Sequence, residues 1–183
     1  MNSIIQTYKS ELIKTIENID NNEILQLKNE ILKARDNSNF IYVFGNGGSG
    51  STASHMVCDL LKGCSYNKEK KIKIISLNDN MPTITAYSND VNYSEVFLEQ
   101  LKNYLKPNDL VIGISGSGNS SNVLKAIEYA NENNAVTFGM TGYDGGKLKN
   151  LATYSLNAKI NNMQISEDIH LIVLHILYML ISK

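Results

Sequence analysis

The chain has 183 residues, 17 Lys and Arg against 18 Asp and Glu, a formal net charge of −1 and no Trp. That length suits one compact domain with a substantial core and is short for a two-domain enzyme. The near-even charge provides no basic footprint for nucleic acid or an anionic membrane surface, so any anionic ligand has to be held by local groups.

The opening segment is mixed and charged rather than a basic start followed by an apolar run, and no stretch of about 18 apolar residues is expected anywhere. Cys58 and Cys64 are too few for a framework of bridges or a Cys-rich zinc site and read as reduced thiols. A cytoplasmic protein touching neither membrane nor nucleic acid is expected.

Taken in chain order, Ile4, Ile5, Tyr8, Leu12, Ile16 and Ile19, then Ile24, Leu25, Leu27, Ile31 and Leu32, recur near the helical repeat. They predict two helices within residues 1–36, broken at Asp20-Asn21-Asn22, either for a subunit contact or for one face of a sheet. The rhythm then changes to short apolar runs. Residues 41–44, 72–77, 110–114 and 136–140 read as buried strands and 154–158 as a weaker fifth, with crossover helices across 49–63, 82–105 and 119–133. Alternation of this kind predicts an α/β fold with a largely parallel sheet covered on both faces, and ligands at the carboxyl ends of its strands.

Two loops stand out. Gly45-Asn46-Gly47-Gly48-Ser49-Gly50-Ser51 follows the first strand and opens a helix, so backbone N–H groups can approach an anion closely. It lacks the Lys of a Walker loop and does not spell GxGxxG, which disfavours a nucleotide. Ser115-Gly116-Ser117-Gly118-Asn119-Ser120-Ser121 follows the third strand with four hydroxyls before a helix start. Hydroxyls and free N–H groups there can bind a phosphate monoester without a full positive charge, although an over-equipped helix cap is the plain alternative. Thr141-Gly142-Tyr143-Asp144-Gly145-Gly146-Lys147 follows the fourth strand at the same edge, and a turn with a helix start would account for it.

The three histidines are placed unevenly. His55 and Asp59 are four apart on the helix after the first glycine loop and share a face. Glu167 and His175 are eight apart on an increasingly apolar C-terminal helix, about 80° around its axis. Each His alone is satisfied by a structural role. Together the His–carboxylate pairs suit proton transfer or a divalent metal; an HExxH metalloprotease is excluded by the arrangement.

Over nearly its whole length the chain resembles the phosphoheptose isomerases of the sugar-isomerase (SIS) domain family. The resemblance is carried by Gly45-Asn-Gly-Gly-Ser49 with His55, Ser88-Asn89-Asp90 with Tyr93, Gly113-Ile-Ser-Gly-Ser-Gly-Asn-Ser120, Thr141-Gly-Tyr-Asp-Gly-Gly-Lys147, and Glu167-Asp-Ile-His170 with His175. It implies a three-layer, flavodoxin-like sandwich around a five-stranded parallel sheet, one SIS domain over 1–183, and a homotetramer with active sites between subunits in which residues 1–36 serve assembly. It implies that Ser115, Gly116, Ser117 and Ser120 hold phosphate, and that Asn46, Gly47, Gly48, Ser49, Asn89, Asp90 and Glu167 line the sugar. It places zinc on His55, Asp59, Glu167 and His175, and the general base and acid on Asp59 and His175; the paired changes at Asp59 and Glu167 make Glu167 the candidate to take over from the shorter Asp59. The implied reaction is sedoheptulose 7-phosphate to D-glycero-D-manno-heptose 7-phosphate, for lipopolysaccharide, capsule or S-layer glycans. The rivals are an isomerase of another phosphosugar and a non-catalytic SIS paralogue that binds a phosphosugar or a protein. The chain departs from the family pattern in carrying Asp59 for Glu, Glu167 for Gln, Gln164-Ile165 for Asp-Arg, and Ser115-Gly116-Ser117 for serine–threonine–serine.

Overall fold

A computed structural model describes residues 2–183. Two helices, α1 (Asn2–Glu17) and α2 (Asn21–Asp36), precede the first strand and break where expected, with the Asp20 side chain accepting from the Asn22 N–H at the start of α2. The sheet follows as β1 (Phe40–Gly45), β2 (Lys73–Ser76), β3 (Leu110–Ser115), β4 (Val136–Thr141) and β5 (Tyr154–Asn157). All four pairings are parallel and the spatial order is β2-β1-β3-β4-β5. The other helices are α3 (Gly48–Cys58), α4 (Met81–Asp90), α5 (Leu98–Tyr104), α6 (Ser121–Glu132), α7 (Leu148–Leu151) and α8 (Met163–Ile181).

Strand alternation builds two cores. Ile41, Val43, Leu110, Ile112, Ile114, Phe138 and Met140 face α2, α3 and α8, with Tyr8 and Leu12 of α1 packed at the margin. Tyr42, Phe44 and Val111 face α5, α6 and α7, where the Phe44 and Phe97 rings stack at 4.8 Å. This is the three-layer sandwich that alternating strands and helices imply. The turn into β3 is fixed by Asp109, whose buried carboxylate accepts from the Phe40 and Lys106 N–H groups, both at 2.9 Å.

Three expectations change. The 82–105 crossover is two helices, because Asn92 caps a short 3₁₀ turn, Tyr93–Glu95, by accepting from the Ser94 N–H at 2.8 Å. Residues 49–63 are not uniformly α-helical: Asp59–Gly63 forms a π turn closed by the Cys64 N–H on the Asp59 carbonyl at 3.1 Å. And α8, at 19 residues, is long and apolar enough to cross a membrane by composition, contrary to the sequence reading. Its apolarity has a source in the fold, since Ile165, Ile169, Val173, Leu174 and Leu177 are core residues.

Candidate active site

The strand order reverses between β1 and β3. Each runs into a helix on the opposite face, α3 and α6, so the carboxyl ends of the two strands open a crevice where α/β sheets bind ligands. A cleft of about 240 Å³ lies there, lined by Asn46, Gly47, Gly48 and Ser49 after β1, by Ile114, Ser115, Gly116, Ser117 and Ser120 after β3, and by Met163 and Glu167 of α8. No Lys or Arg lines it.

The hydroxyl loop is tightly fixed. Ser115 is buried, and its Oγ lies 3.1 Å from Ser120 Oγ. The Gly118 N–H donates to the Ser115 carbonyl at 2.9 Å and the Asn119 N–H to Ser117 Oγ at 3.2 Å. From the neighbouring loop, the Gly142 N–H donates to the Gly116 carbonyl at 2.8 Å and the Leu148 N–H to the Gly118 carbonyl at 2.9 Å. Ser120 occupies the cap position of α6, yet its hydroxyl makes no capping bond. The first-turn N–H groups of a helix have no partner within it and carry its positive end, so this loop offers an anion more than a cap requires.

Glu167 closes the opposite wall. Its carboxylate lies against Gly48, where a Cβ would collide with Oε2, so glycine is what admits the side chain. The adjacent Asp168 accepts from the Tyr8 hydroxyl at 2.5 Å, docking α1 on the start of α8. That bond to a carboxylate, with burial adding to it, pushes the Tyr8 phenol up to about 12.

His55, Asp59 and His175 meet outside the cleft lining. His55 Nε2 is 3.3 Å from His175 Nε2 and 3.4 Å from Asp59 Oδ2, and the three ligand atoms lie within 4.8 Å of one another. Two helices converge here because the Tyr178 ring of α8 packs directly on Gly63, where a Cβ would overlap it. His175 is one turn before Tyr178 and Asp59 begins the π turn that Gly63 ends, so the contact sets the spacing of the cluster. A tetrahedral ion bound at about 2.0–2.1 Å spaces its ligand atoms about 3.3–3.4 Å apart. Both measured separations match that edge, and nitrogen with carboxylate oxygen is a donor set zinc accepts.

His170 lies on the same helix but is fully buried, and its Nε2 is 3.0 Å from the Thr141 carbonyl, to which it must donate. Burial drives its imidazole down to about 4, so the ring is neutral, and Nδ1 has no partner among the described residues. The ring ties α8 to the end of β4, next to the Gly142 N–H that braces the hydroxyl loop.

Against the sequence expectations, the cleft gathers Asn46, Gly47, Gly48, Ser49, Ser115, Gly116, Ser117, Ser120 and Glu167. Asn89 and Asp90 do not line it: they are the last two residues of α4, both exposed, and their side chains bond to each other at 2.7 Å rather than turning to the cleft. Glu167 stands apart from the His55–Asp59–His175 cluster rather than completing it. Asn122, which bonds to Asn46, went unread in the sequence. Its signal was the helical period, which puts an Asn in line with buried Ala126 and Ala130.

Fold and cleft define a class, and residues 7–142 match the SIS domain family model. The probable phosphoheptose isomerase of Thermoplasma acidophilum is 35% identical over 176 residues, covering 96% of each chain. The phosphoheptose isomerase of Helicobacter pylori strain 26695 is 36% identical over 171 residues, 93% of this chain and 88% of its own. The solved phosphoheptose isomerase of Neisseria gonorrhoeae superposes with a TM-score of 0.90 at 25% identity, covering 98% of this chain and 97% of its own. The chain belongs to the phosphoheptose isomerase family of SIS-domain proteins.

Proposed function

We propose that the protein is an aldose–ketose isomerase converting sedoheptulose 7-phosphate to D-glycero-D-manno-heptose 7-phosphate through an enediol, in the cytoplasm, to supply heptose for a surface glycan. The observation that carries this reading is the cleft itself: the Glu167 carboxylate lines it together with a braced hydroxyl loop at a helix start, and no Lys or Arg is among its lining residues. Ser115, Ser117 and Ser120 with the first N–H groups of α6 grip the phosphate, and Gly116 lets it approach the backbone. Asn46, Gly47, Gly48 and Ser49 face the sugar.

Isomerisation moves one proton between C1 and C2 and one between the two oxygens. Glu167 takes the proton from C1 of the ketose while the C2 oxygen gains one, giving the enediol. The carbon-bound proton returns at C2 and the C1 hydroxyl proton leaves, giving the aldose with no net change in atoms. The acid is assigned to His175, as the family resemblance implies; its Nε2 lies 3.3 Å from His55 Nε2. Asp59 is one methylene shorter than the Glu usual in the family, and Glu167 replaces the usual Gln, so the base has changed helices. His55, Asp59 and His175 would hold a zinc ion, which when bound supplies a Lewis acid for the substrate oxygens. The chain forms one SIS domain that assembles as a homotetramer through α1 and α2, where Ile4, Ile5, Ile13 and Leu25 stand exposed.

The test is isomerisation of sedoheptulose 7-phosphate with and without chelator, the product identified by NMR, alongside a panel of other ketose phosphates. Turnover on a different ketose alone would reassign the substrate, and turnover on none would leave a binding protein. Full activity in Glu167→Gln with metal bound would remove Glu167 as the base.

A further inference from the structure

In the Asn46 amide every acceptor position is taken. Val123 is the third residue of α6, so its N–H has no partner in the helix; it donates instead to Asn122 Oδ1 at 3.0 Å. That bond fixes which end of the Asn122 amide is oxygen. Asn122 Oδ1 then also accepts from Asn46 Nδ2 at 3.0 Å, and Asn122 Nδ2 donates back to Asn46 Oδ1 at 2.9 Å. The Tyr93 hydroxyl donates to the same Asn46 Oδ1 at 2.8 Å. A carbonyl oxygen has two lone pairs and both are filled, while of the two amide hydrogens one is spent on Asn122. What Asn46 has left for a ligand is a single N–H.

We propose that Asn122 and Tyr93 are positioning residues that hold Asn46 as a one-way hydrogen-bond donor, aimed at the substrate oxygen that gains negative charge, the carbonyl that becomes the enediolate. The inference rests on the isomerase reading of the cleft. Asn122 is 1% exposed, and a buried amide is stable only with such partners. Tyr93 is carried on the 3₁₀ turn that Lys125 anchors through its ion pair with Glu95. Across the cleft Glu167, when ionised, can only accept. One wall donates and the other accepts, and a C1–C2 unit passing through an enediol presents both an oxygen that gains negative charge and a proton to be taken.

The test is a double-mutant cycle. Tyr93→Phe and Asn46→Ala, made singly and together, are assayed on sedoheptulose 7-phosphate, with inorganic phosphate as competitor. Tyr93→Phe is expected to lower kcat/KM about three- to tenfold, mainly through kcat, with phosphate affinity unchanged. In the Asn46→Ala background it should cost nothing more. No loss in Tyr93→Phe, or the same loss in both backgrounds, overturns the proposal. Asn122→Asp keeps an acceptor for Val123 and removes the donor to Asn46, so it should lose more than Tyr93→Phe; if it does not fold, the Tyr93 cycle decides alone. The side-chain amide signals of Asn46 in ¹⁵N–¹H spectra give a readout that needs no turnover, and Tyr93→Phe should shift them in the ligand-free protein. An inactive wild type with that shift would support the hydrogen-bond relay and overturn the isomerase reading. An active wild type without it would overturn the relay.

Discussion

The two ends of the site are built differently. At the hydroxyl end, Ser115 is buried, the loop is braced by backbone bonds from Gly142 and Leu148, and every group comes from β3, α6 or the neighbouring strand end. At the histidine end the His55 side chain is 44% exposed and the Asp59 side chain 26% exposed, and the cluster depends on two helices meeting at Gly63 and Tyr178. The SIS model spans the first end and stops at residue 142, before Glu167 and His175. The proposed phosphate grip is thus local to one strand–loop–helix unit, whereas the histidine end, with His55 and Asp59 inside the matched span and His175 outside it, depends on where α8 lands.

The sharpest way to break this contrast is His175→Ala. Turnover should fall about a thousandfold or more, since one positioned acid–base group contributes about 10²–10⁴. Bound metal should be lost, while calorimetry with inorganic phosphate should show unchanged affinity. Loss of phosphate binding would mean the two ends are one unit.

His170 gives the next largest effect, on stability rather than rate. Its imidazole titrates near 4 when folded against 6.5 as an ordinary His, so between these values the unfolded chain binds more protons. Stability from this group is complete above about pH 6.5 and declines as pH falls toward 4, by about 3 kcal/mol in all. Urea unfolding across that range should show the slope in the wild type and lose it in His170→Gln.

Ser120→Ala should raise KM about tenfold or somewhat more, with kcat nearly kept, because one hydrogen bond to a charged group is removed. Steady-state kinetics checks this, and a fall in kcat alone would place Ser120 with the reacting atoms. The smallest effect expected is from Gly63→Ala. Overlap with Tyr178 should cost about 1–3 kcal/mol by thermal unfolding, with weaker metal binding and phosphate affinity intact.

Much of this was legible in the sequence. The runs 41–44, 110–114 and 136–140 became β1, β3 and β4 within a residue at each end, because a strand buried on both faces is a continuous apolar run. Ser115–Ser120 was legible for the same local reason, since strand, loop and helix start are contiguous. The histidine cluster was readable only as two separate pairs: nothing in the spacing of His55 and Asp59 tells where His175 arrives 120 residues later. Asn122 was missed because its side-chain partner, Asn46, comes from a loop 76 residues earlier. The break in 82–105 was signalled by Asn89, Asp90 and Asn92 but was overridden by the apolar residues on either side.

The π turn carries a further consequence. It follows the last α turn of α3 and widens it by a residue, so Asp59–Gly63 carries the end of the helix into the turn at residues 64–67. Removing one residue there would let α3 continue as a regular helix, with good hydrogen bonds and ordinary propensity. It would also change which residue lies under Tyr178, where Gly63 now admits the ring. The length of this turn therefore bears on how α8 seats against the end of α3, and with it on the separation of His175 from His55 and Asp59.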